Sequence, residues 1–258
     1  MAERDSMIGA VIQARMGSAR LPGKVLKQVQ GYPMLGYLVD RLQRSVLIQK
    51  IVIATTTDAL DDPIVELGNS LGVDVVRGSR DDVLDRFYKA VDQFSMENVV
   101  RITGDCPLLD WTICDKLINM HMTQKADYSL MSPDFAEGLD CEVCSREALF
   151  KAHCEARLRS DREHVTLYLK NHPEMFKTRV LENNCNDSYY RITVDNLEDF
   201  EVVREILRNF LDAQGKVTAL WPEIKCFLDQ RPDLIRKNAH VIRNEGLLKS
   251  LESDEFIR

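Results

Sequence analysis

Residues 7–24 read MIGAVIQARMGSARLPGK, an apolar run that passes directly into a loop with three cations, one hydroxyl and two glycines within ten residues. The apolar run, Met7 to Ile12, predicts a buried β-strand. In α/β proteins, ligands bind where the parallel strands end. The stretch therefore predicts a first strand that leads into a phosphate-binding loop, and it makes a nucleotide the first ligand to consider.

The loop contains the residue types that bind phosphate. Glycine lets the backbone approach an anion closely, arginine supplies forked charged donors, and lysine supplies a point charge. Pro22-Gly23 is a turn signal that would direct Lys24 back toward the loop. The spacing is not that of a Walker loop, because Val25 stands where a magnesium-binding Ser or Thr is required. The alternative is a basic surface turn in which Ser18 is only a local cap.

Length and composition favour one α/β domain with an appended segment. The chain has 258 residues, of which 45% are hydrophobic, so it can bury a full core. Its net charge of −7 argues against a nucleic-acid partner. The first apolar run is too short for a signal peptide, and no stretch approaches the roughly 20 apolar residues of a membrane span. We therefore expect a cytoplasmic protein without a membrane partner.

The seven cysteines form an odd set, which suits reduced thiols rather than a disulfide framework. Residues 138–144 predict a strand, and Cys141 and Cys144 lie three positions apart on it, so their side chains would point to opposite faces. A metal site shared with His153 and Cys154 is the alternative. We expect the cysteines to be packing residues.

Strand and helix patterns alternate up to about residue 105. Apolar runs predict the strands, and apolar side chains at helical spacing predict the helices between them. The predicted elements are strand 7–12, helix 33–47, strand 51–54, helix 61–72, strand 73–76, helix 82–94 and strand 98–102. This order is typical of an α/β protein, a three-layer α/β/α sandwich with a mostly parallel, Rossmann-like sheet.

Asp105 follows the fourth strand in the sequence TGDCP at 103–107. If the first strand lies beside the fourth, Asp105 and the basic loop meet where the strand order reverses. A carboxylate that faces a triphosphate needs a cation between them, and Mg²⁺ is usually held by one or two carboxylates plus phosphate oxygens. Asp105 is therefore a candidate magnesium ligand. The alternative is an Asp that hydrogen-bonds its own backbone in a turn.

Asp195 ends a strand-like Tyr-x-Ile-x-Val run at 190–194 and precedes a predicted helix with an acidic first turn. Taken alone, Asp195 or Asn196 is explained as the helix N-cap. Taken with Asp105 and the basic loop, Asp195 predicts a site that has one carboxylate at each of two strand ends.

These motifs together resemble the sugar-activating cytidylyltransferases. The closest match is the branch named for spore-coat polysaccharide biosynthesis protein F, which is related to the ketodeoxyoctulosonate and acylneuraminate cytidylyltransferases. The similarity runs from about residue 7 to residue 207. It rests on QARMGSARLPGK at 13–24, RGSRDDVLDR at 77–86, TGDCP at 103–107, EGLDCEV at 137–143, DREHVT at 161–166 and TVDNLED at 193–199.

The resemblance implies a sheet of the nucleotide-diphospho-sugar transferase type in a catalytic domain over residues 1–215. It further implies a dimerisation or acceptor arm near 138–185 and a helical extension over 216–258. The implied reaction moves CMP from CTP to a sugar acid or another small hydroxyl or phosphate acceptor and releases pyrophosphate, in surface polysaccharide or glycoconjugate synthesis. Mg²⁺ is the implied cofactor, and a homodimer is the implied assembly.

The resemblance also assigns roles to individual residues. The catalytic residues would be Arg15, Lys24, Asp105 and Asp195, and the two aspartates would bind magnesium. The nucleotide would be bound by Ala14, Arg15, Gly17, Ser18, Arg20, Lys24, Arg77, Asp82 and Asp105. The acceptor would be bound by Asp140, Glu142, Arg162, Glu163 and His164. Asp140 and Glu142 lie two positions apart on the predicted strand at 139–143 and would share one face, which suits an acceptor site or, alternatively, a solvated sheet face. For Arg162, Glu163 and His164, the alternative is a helix start with ordinary exposed charges.

Two other functions stay open at this point. A metal-dependent glycosyltransferase that consumes a nucleotide sugar uses the same kind of sheet, although the cation-rich loop suits a triphosphate better than a diphosphate sugar. A non-catalytic nucleotide-binding protein is the second, since a fold alone does not fix an activity. No side chain is singled out as a general base.

Overall fold

A seven-stranded sheet forms the centre of the computed structural model, which describes residues 7–257. The strands are β1 (Ile8–Gln13), β2 (Gln28–Val29), β3 (Tyr32–Pro33), β4 (Lys50–Thr56), β5 (Asp74–Gly78), β6 (Asn98–Thr103), β7 (Tyr128–Met131), β8 (Glu142–Ser145) and β9 (Thr178–Leu181). The order in the sheet is β5-β4-β1-β6-β8-β7-β9, and β2 and β3 form a separate ribbon. Only the pairs that involve β8 are antiparallel within the described sheet. The predicted mostly parallel sheet is confirmed.

The first strand lies in the middle of the parallel half of the sheet. Its small and β-branched residues are buried, and Ala10 pairs with Ile51 of β4 on one side and with Val100 of β6 on the other. Such apolar strands are typical of sheets that are covered on both faces. Because β1 and β6 are parallel neighbours, the loops that follow them leave from the same edge of the sheet. The prediction that the first strand lies beside the fourth predicted strand, here β6, is therefore confirmed.

Helices cover both faces of the sheet. Those of the described residues are α1 (Met34–Leu42), α2 (Asp62–Ser70), α3 (Val83–Gln93), α4 (Trp111–Gln124), α5 (Arg146–Glu155), α6 (Arg159–Glu163), α7 (Leu167–Asn171), α8 (Leu197–Phe210), α9 (Trp221–Asp229), α10 (Pro232–Asn238) and α11 (Glu245–Glu252). Successive side chains of a strand point to opposite faces. Ala10 and Ile12 accordingly share a core with α1, α4 and α8, whereas Val11 shares one with α3 and α5. The three predicted layers are present.

The two cores also separate the predicted cysteine pair. Cys141 is buried in one core and Cys144 in the other, so the two thiols face away from each other as predicted. Within residues 7–257, no group of three or more His, Cys, Asp or Glu side chains is placed to hold a metal ion. No helix of that part of the chain is long and apolar enough to span a membrane.

The predicted strand at 190–194 is wrong. Among the described residues, this segment pairs with the rest of the chain only through an isolated bridge to Glu137. Its alternating apolar side chains are buried, but its amides donate to loop carbonyls, Ile192 to Glu137 and Val194 to Asp105. Arg191 and Thr193 between them are buried as well, so the alternation of apolar residues shows neither which side chains are exposed nor whether the backbone joins a sheet.

Two predicted boundaries also move. The helix predicted over 33–47 ends at Leu42, and the strand predicted to begin near Gly138 begins at Glu142. Gly138 has a φ of +108°, and a Cβ there would lie 2.5 Å from the backbone nitrogen of Thr193. The chain thus turns at Gly138 and packs against the backbone of residues 192–193 before it enters β8.

The C-terminal residues return to the same core. Side chains of α9 and α10 join the cluster formed by α1, α4 and α8. The Trp221 indole nitrogen donates to Asp187 at 2.9 Å, and the Trp221 amide donates to Asp110 at 2.7 Å. The boundary between residues 215 and 216 stays a prediction, and the described core is continuous across it.

Replacement of Gly138 by alanine is expected to lower the free energy of unfolding by about 2–4 kcal/mol, because it adds a backbone clash to an unfavourable φ. Gly215 is a matched control, since its φ is +72° and no described atom lies within 4 Å of the point that a Cβ would occupy. Gly215→Ala should cost only about 1 kcal/mol. Urea unfolding measures both, and equal losses would contradict the backbone contact as the cause.

Buried His121 is expected to make the stability depend on pH. Its ring nitrogens lie 2.9 Å from Ser129 Oγ and 3.1 Å from Asn98 Oδ1. Burial lowers the pKa of His121 to about 4, whereas the unfolded chain binds that proton near pH 6.5. The free energy of unfolding should therefore fall as the pH decreases from about 6.5 to 4, by on the order of 3 kcal/mol.

Urea unfolding at about pH 7.5 and pH 5 measures this loss. In His121→Gln the contribution of the imidazole is absent, so the loss between the two pH values should be smaller than in the unsubstituted protein. A variant with the same pH dependence would show that other groups cause it.

Candidate active site

The basic loop folds back on itself at the end of β1. The amides of Ser18 and Gly23 both donate to the Met16 carbonyl at 2.9 Å, and the Met16 amide donates to the Asp61 carboxylate at 2.7 Å. Gly23 has a φ of +68°, which glycine adopts at little cost. The turn directs Lys24 toward the edge of the sheet where β6 also ends.

Lys24 bridges two carboxylates at this edge. Its Nζ lies 2.7 Å from Asp105 Oδ2 and 2.8 Å from Asp195 Oδ1. Burial alone would lower the pKa of Lys24, but the two carboxylates outweigh it and the pKa is raised. Burial alone would raise the pKa of Asp105, yet the Lys24 charge lowers it to about 2. Lys24 and Asp105 are therefore both ionised at neutral pH.

Asp195 is oriented by two arginines. Arg20 Nη2 lies 2.9 Å from Asp195 Oδ1, and Arg191 Nη2 lies 2.8 Å from Asp195 Oδ2. The N-cap of α8 is Asn196, whose side chain accepts a hydrogen bond from the Asp199 amide. Asn196 caps the helix, and the carboxylate of Asp195 faces the basic loop instead.

A cavity of about 380 Å³, the loop cavity, lies beside the basic loop. Its size falls in the range of small-molecule sites. The predicted site residues that line it are Ala14, Arg15, Ser18, Arg20, Lys24, Asp105, Glu163, His164 and Asp195. The structure therefore brings the basic loop and both candidate metal ligands to one cavity.

Arg86 is a cation in the wall of the loop cavity that the sequence did not single out. The residue is 2% exposed, its Nη1 donates to the Ala54 carbonyl at 3.2 Å, and its Nε has no hydrogen-bond partner among the described residues. Burial, and then the charge of Arg15, lowers the pKa of Arg86 to about 10. Buried charges are normally paired. The guanidinium is thus positioned to donate to a ligand atom in the cavity.

Three predicted nucleotide-binding residues do not line the loop cavity. Arg77 donates to the Thr56 carbonyl at 2.7 Å. Asp82 caps α3 and accepts from Arg162 Nε at 3.0 Å. Gly17 belongs to the basic loop but is not one of the residues that line the cavity. Contacts of these three residues with a nucleotide stay predictions.

A second cavity of about 590 Å³ adjoins the loop cavity. The residues that line both are Gln13, Arg20, Thr103, Asp105, His164, Asp195 and Gly246. Among the predicted acceptor residues, Asp140 and Glu142 line the second cavity and Glu163 lines the loop cavity. Arg162 lines neither, because its guanidinium is held by Asp82 and the His153 carbonyl.

The two acceptor carboxylates of the second cavity have different partners. Glu142 Oε2 lies 2.5 Å from Arg101 Nη1 and accepts from Thr166 Oγ1 at 2.8 Å. Burial alone would raise the pKa of Glu142, but Arg101 outweighs it and the pKa is lowered. Asp140 pairs with Arg243 at 2.8 Å. The common strand face predicted for Asp140 and Glu142 is wrong, because β8 begins only at Glu142.

Several lining cations were missed by the sequence analysis. Arg101 carried a signal, since a charged residue inside the apolar strand β6 needs a reason to be there. No sequence signal marked Lys170, Arg243 and Lys249. Lys170 reaches the second cavity from α7, and the other two reach the cavities from residues that follow α10.

Comparison with known proteins identifies the family. A sequence model described as cytidylyltransferase matches residues 9–240. An uncharacterised protein of Methanocaldococcus jannaschii is 38% identical over 90% of this chain and 94% of its own length. Spore coat polysaccharide biosynthesis protein SpsF of Bacillus subtilis is 34% identical over 86% of this chain and 94% of its own length. A solved cytidylyltransferase from Leptospira borgpetersenii is similar at a TM-score of 0.84 and 31% identity, covering 92% and 99% of the two chains. The chain belongs to the cytidylyltransferase family.

Arg86→Met is expected to leave the free energy of unfolding of the nucleotide-free protein within roughly 1 kcal/mol of the original value or to raise it, because an unpaired buried charge is removed. The increase in Tm on addition of CTP should fall to about half or less, because a ligand stabilises only as far as it binds the folded state.

Arg41→Met is the matched control for stability. Arg41 is equally buried, but it donates to the carbonyls of Leu108, Leu109 and Val217, so its loss should destabilise the protein. Differential scanning fluorimetry with and without CTP gives both quantities. An unchanged response of Arg86→Met to CTP would contradict a ligand contact.

Proposed function

We propose that this cytidylyltransferase moves CMP from CTP to a small sugar acceptor, a sugar acid or another hydroxyl- or phosphate-bearing compound, and releases pyrophosphate. The observation that carries the proposal is that Asp105 and Asp195 line both cavities. A donor in the loop cavity and an acceptor in the second cavity would meet at these carboxylates. The name of the SpsF relative supports a role in surface polysaccharide synthesis.

The loop cavity suits the triphosphate of the donor. Arg15, Arg20 and Lys24 line it together, and such cations stabilise the charge that develops on departing pyrophosphate. Holding both reactants in line removes much of the entropic barrier to transfer. The chain's own contribution is thus chiefly positioning and neutralisation of charge.

The two aspartates are placed to share one cation. Their carboxylates already converge on a single cation, the Lys24 ammonium, at 2.7 and 2.8 Å. Mg²⁺ typically takes one or two carboxylates and completes its shell with phosphate oxygens and water. We propose Mg²⁺ held by Asp105 and Asp195, where it would polarise the α-phosphate and lower the pKa of the acceptor hydroxyl.

The second cavity suits an anionic or hydroxylated acceptor. Lys170 lines it and has no ion-pair partner among the described residues, so it fits a carboxylate or phosphate of the acceptor. His164 lines both cavities, and burial lowers the pKa of its imidazole. His164 is therefore neutral at pH 7 and fits the role of proton acceptor for the attacking hydroxyl. A homodimer and a cytoplasmic location belong to the same proposal.

A screen for pyrophosphate release tests the proposal. The four nucleoside triphosphates are each incubated with Mg²⁺ and a panel of sugar acids and phosphosugars. Release with CTP and an acceptor supports CMP transfer. Hydrolysis of a CDP- or UDP-sugar without pyrophosphate release from any pair would indicate a glycosyltransferase instead, and CTP binding without turnover would indicate a nucleotide sensor.

Asp105→Asn and Asp195→Asn are each expected to reduce turnover by on the order of a hundredfold or more while some CTP binding remains, because the metal and electrostatic contributions act mainly in the transition state. Asp233→Asn is the control, since Asp233 pairs only with Arg231 at an exposed position among the described residues. Initial rates of pyrophosphate release measure the effect. Unchanged turnover in either variant would refute its metal role.

A further inference from the structure

Residues 243–257, here the C-terminal segment, contribute lining residues to both cavities. Gly246 lines both of them, Lys249 lines the loop cavity, and Arg243 lines the second cavity. The segment lies beyond residues 9–240, which match the family. Part of the wall around the proposed donor site is therefore built from sequence outside the family match.

The segment is attached by polar contacts. Arg243 donates to the Pro133 carbonyl at 2.7 Å and to Asp140 at 2.8 Å, and Ser250 Oγ lies 3.0 Å from His164 Nε2. No side chain of α11 is buried. Few buried apolar contacts are typical of segments with a low free energy of local opening. The helix can therefore shift without disturbing the core.

A carboxylate of this segment lies between two cations of the loop cavity. Glu245 Oε2 is 2.5 Å from Arg20 Nη1, and Glu245 Oε1 is 2.5 Å from Lys249 Nζ. The Lys249 ammonium, together with Arg20, lowers the pKa of Glu245. Two cations that bind the same carboxylate at a cavity wall form an anion site, and here a side chain of the protein itself occupies it.

We propose that Arg20 and Lys249 form the subsite for the terminal phosphate of the nucleoside triphosphate, and that Glu245 occupies this subsite when no nucleotide is bound. The proposal rests on the proposed function and adds a residue, Lys249, that neither the motifs nor the family match supplies. A triphosphate takes over both cations, and the Glu245 carboxylate moves to solvent. CMP has only the α-phosphate, so it leaves the ion pairs of Glu245 with Arg20 and Lys249 in place.

The charge distribution supports such an exchange. Asp195 also pairs with Arg20, but Lys24 and the buried Arg191 hold it as well. Among the described cations, Glu245 contacts only Arg20 and Lys249, and its side chain is 28% exposed. Glu245 is thus the carboxylate at Arg20 that can leave at the smallest cost.

Binding constants for CTP and CMP, measured by calorimetry in the presence of Mg²⁺, test the subsite. Glu245→Gln should bind CTP about two- to fivefold more tightly than the unsubstituted protein and CMP equally well, because a partly exposed charge pair is worth up to about this factor. The double variant with Lys249→Gln should bind CTP more weakly than Glu245→Gln alone. Glu252→Gln, on the same helix and exposed, is the control and should change neither constant.

The outcomes separate this subsite from the proposed function. CTP binding that is unchanged or weakened in Glu245→Gln, or a change of the same size for CTP and CMP, would overturn the subsite alone. Equal CTP binding by Glu245→Gln and the double variant would remove Lys249 from it. Absence of CTP binding by the unsubstituted protein would overturn the proposed function as well.

Discussion

The ion-pair bridge from Lys24 to Asp105 and Asp195 is the interaction on which the site depends. Two carboxylates placed this close together repel each other unless a cation lies between them. The three residues come from the loop after β1, the end of β6 and the segment before α8, and Lys24 is separated from the two aspartates by 81 and 171 positions along the chain. The bridge therefore fixes where three distant segments meet, and that point is also where the two cavities join.

A second ionic cluster supports the first. Arg191 is almost fully buried, and its guanidinium pairs with Glu137, Asp195 and Asp199. Burial alone would lower the pKa of Arg191, but Asp199 and Glu137 outweigh it and the pKa is raised. Loss of one member of such a cluster leaves an uncompensated buried charge, which is more costly than the loss of an exposed pair. The position of Asp195 is thus determined by a network and not by α8 alone.

The arrangement of the two cavities suits the transfer reaction of the family. The loop cavity has an excess of cations, and most charges of the second cavity are already paired within the chain, Lys170 being an exception. Pre-positioned charges need little reorganisation when the reaction occurs. The family match ends at residue 240, so the C-terminal segment is a place where this chain can differ from its relatives without any change in the central sheet.

The sequence by itself determined the parallel part of the sheet and the charged residues that follow its strands. The apolar run of β1, the loop with Arg15, Arg20 and Lys24, and the turn at Asp105 are local features, and the parallel direction of these strands follows from the alternation of strands and helices. The strand order and the antiparallel β8 depend on the tertiary structure. The apolar residues of 190–194 also marked a buried extended segment, but they could not tell a strand from an extended loop, because the two differ in their backbone hydrogen-bond partners and not in the burial of their side chains. A local sequence pattern predicts structure only where the contacts that form the structure are made by residues close together in the chain.

Only the tertiary structure decided which charges are paired. Arg162, whose contact with the acceptor stays a prediction, pairs with Asp82, whereas Arg86 is buried beside the loop without an ion pair among the described residues. The contact of Glu245 with Arg20 joins residues 225 positions apart. The sequence alone could not determine these ion pairs. Their members are far apart along the chain, and only the folded structure brings them within contact distance.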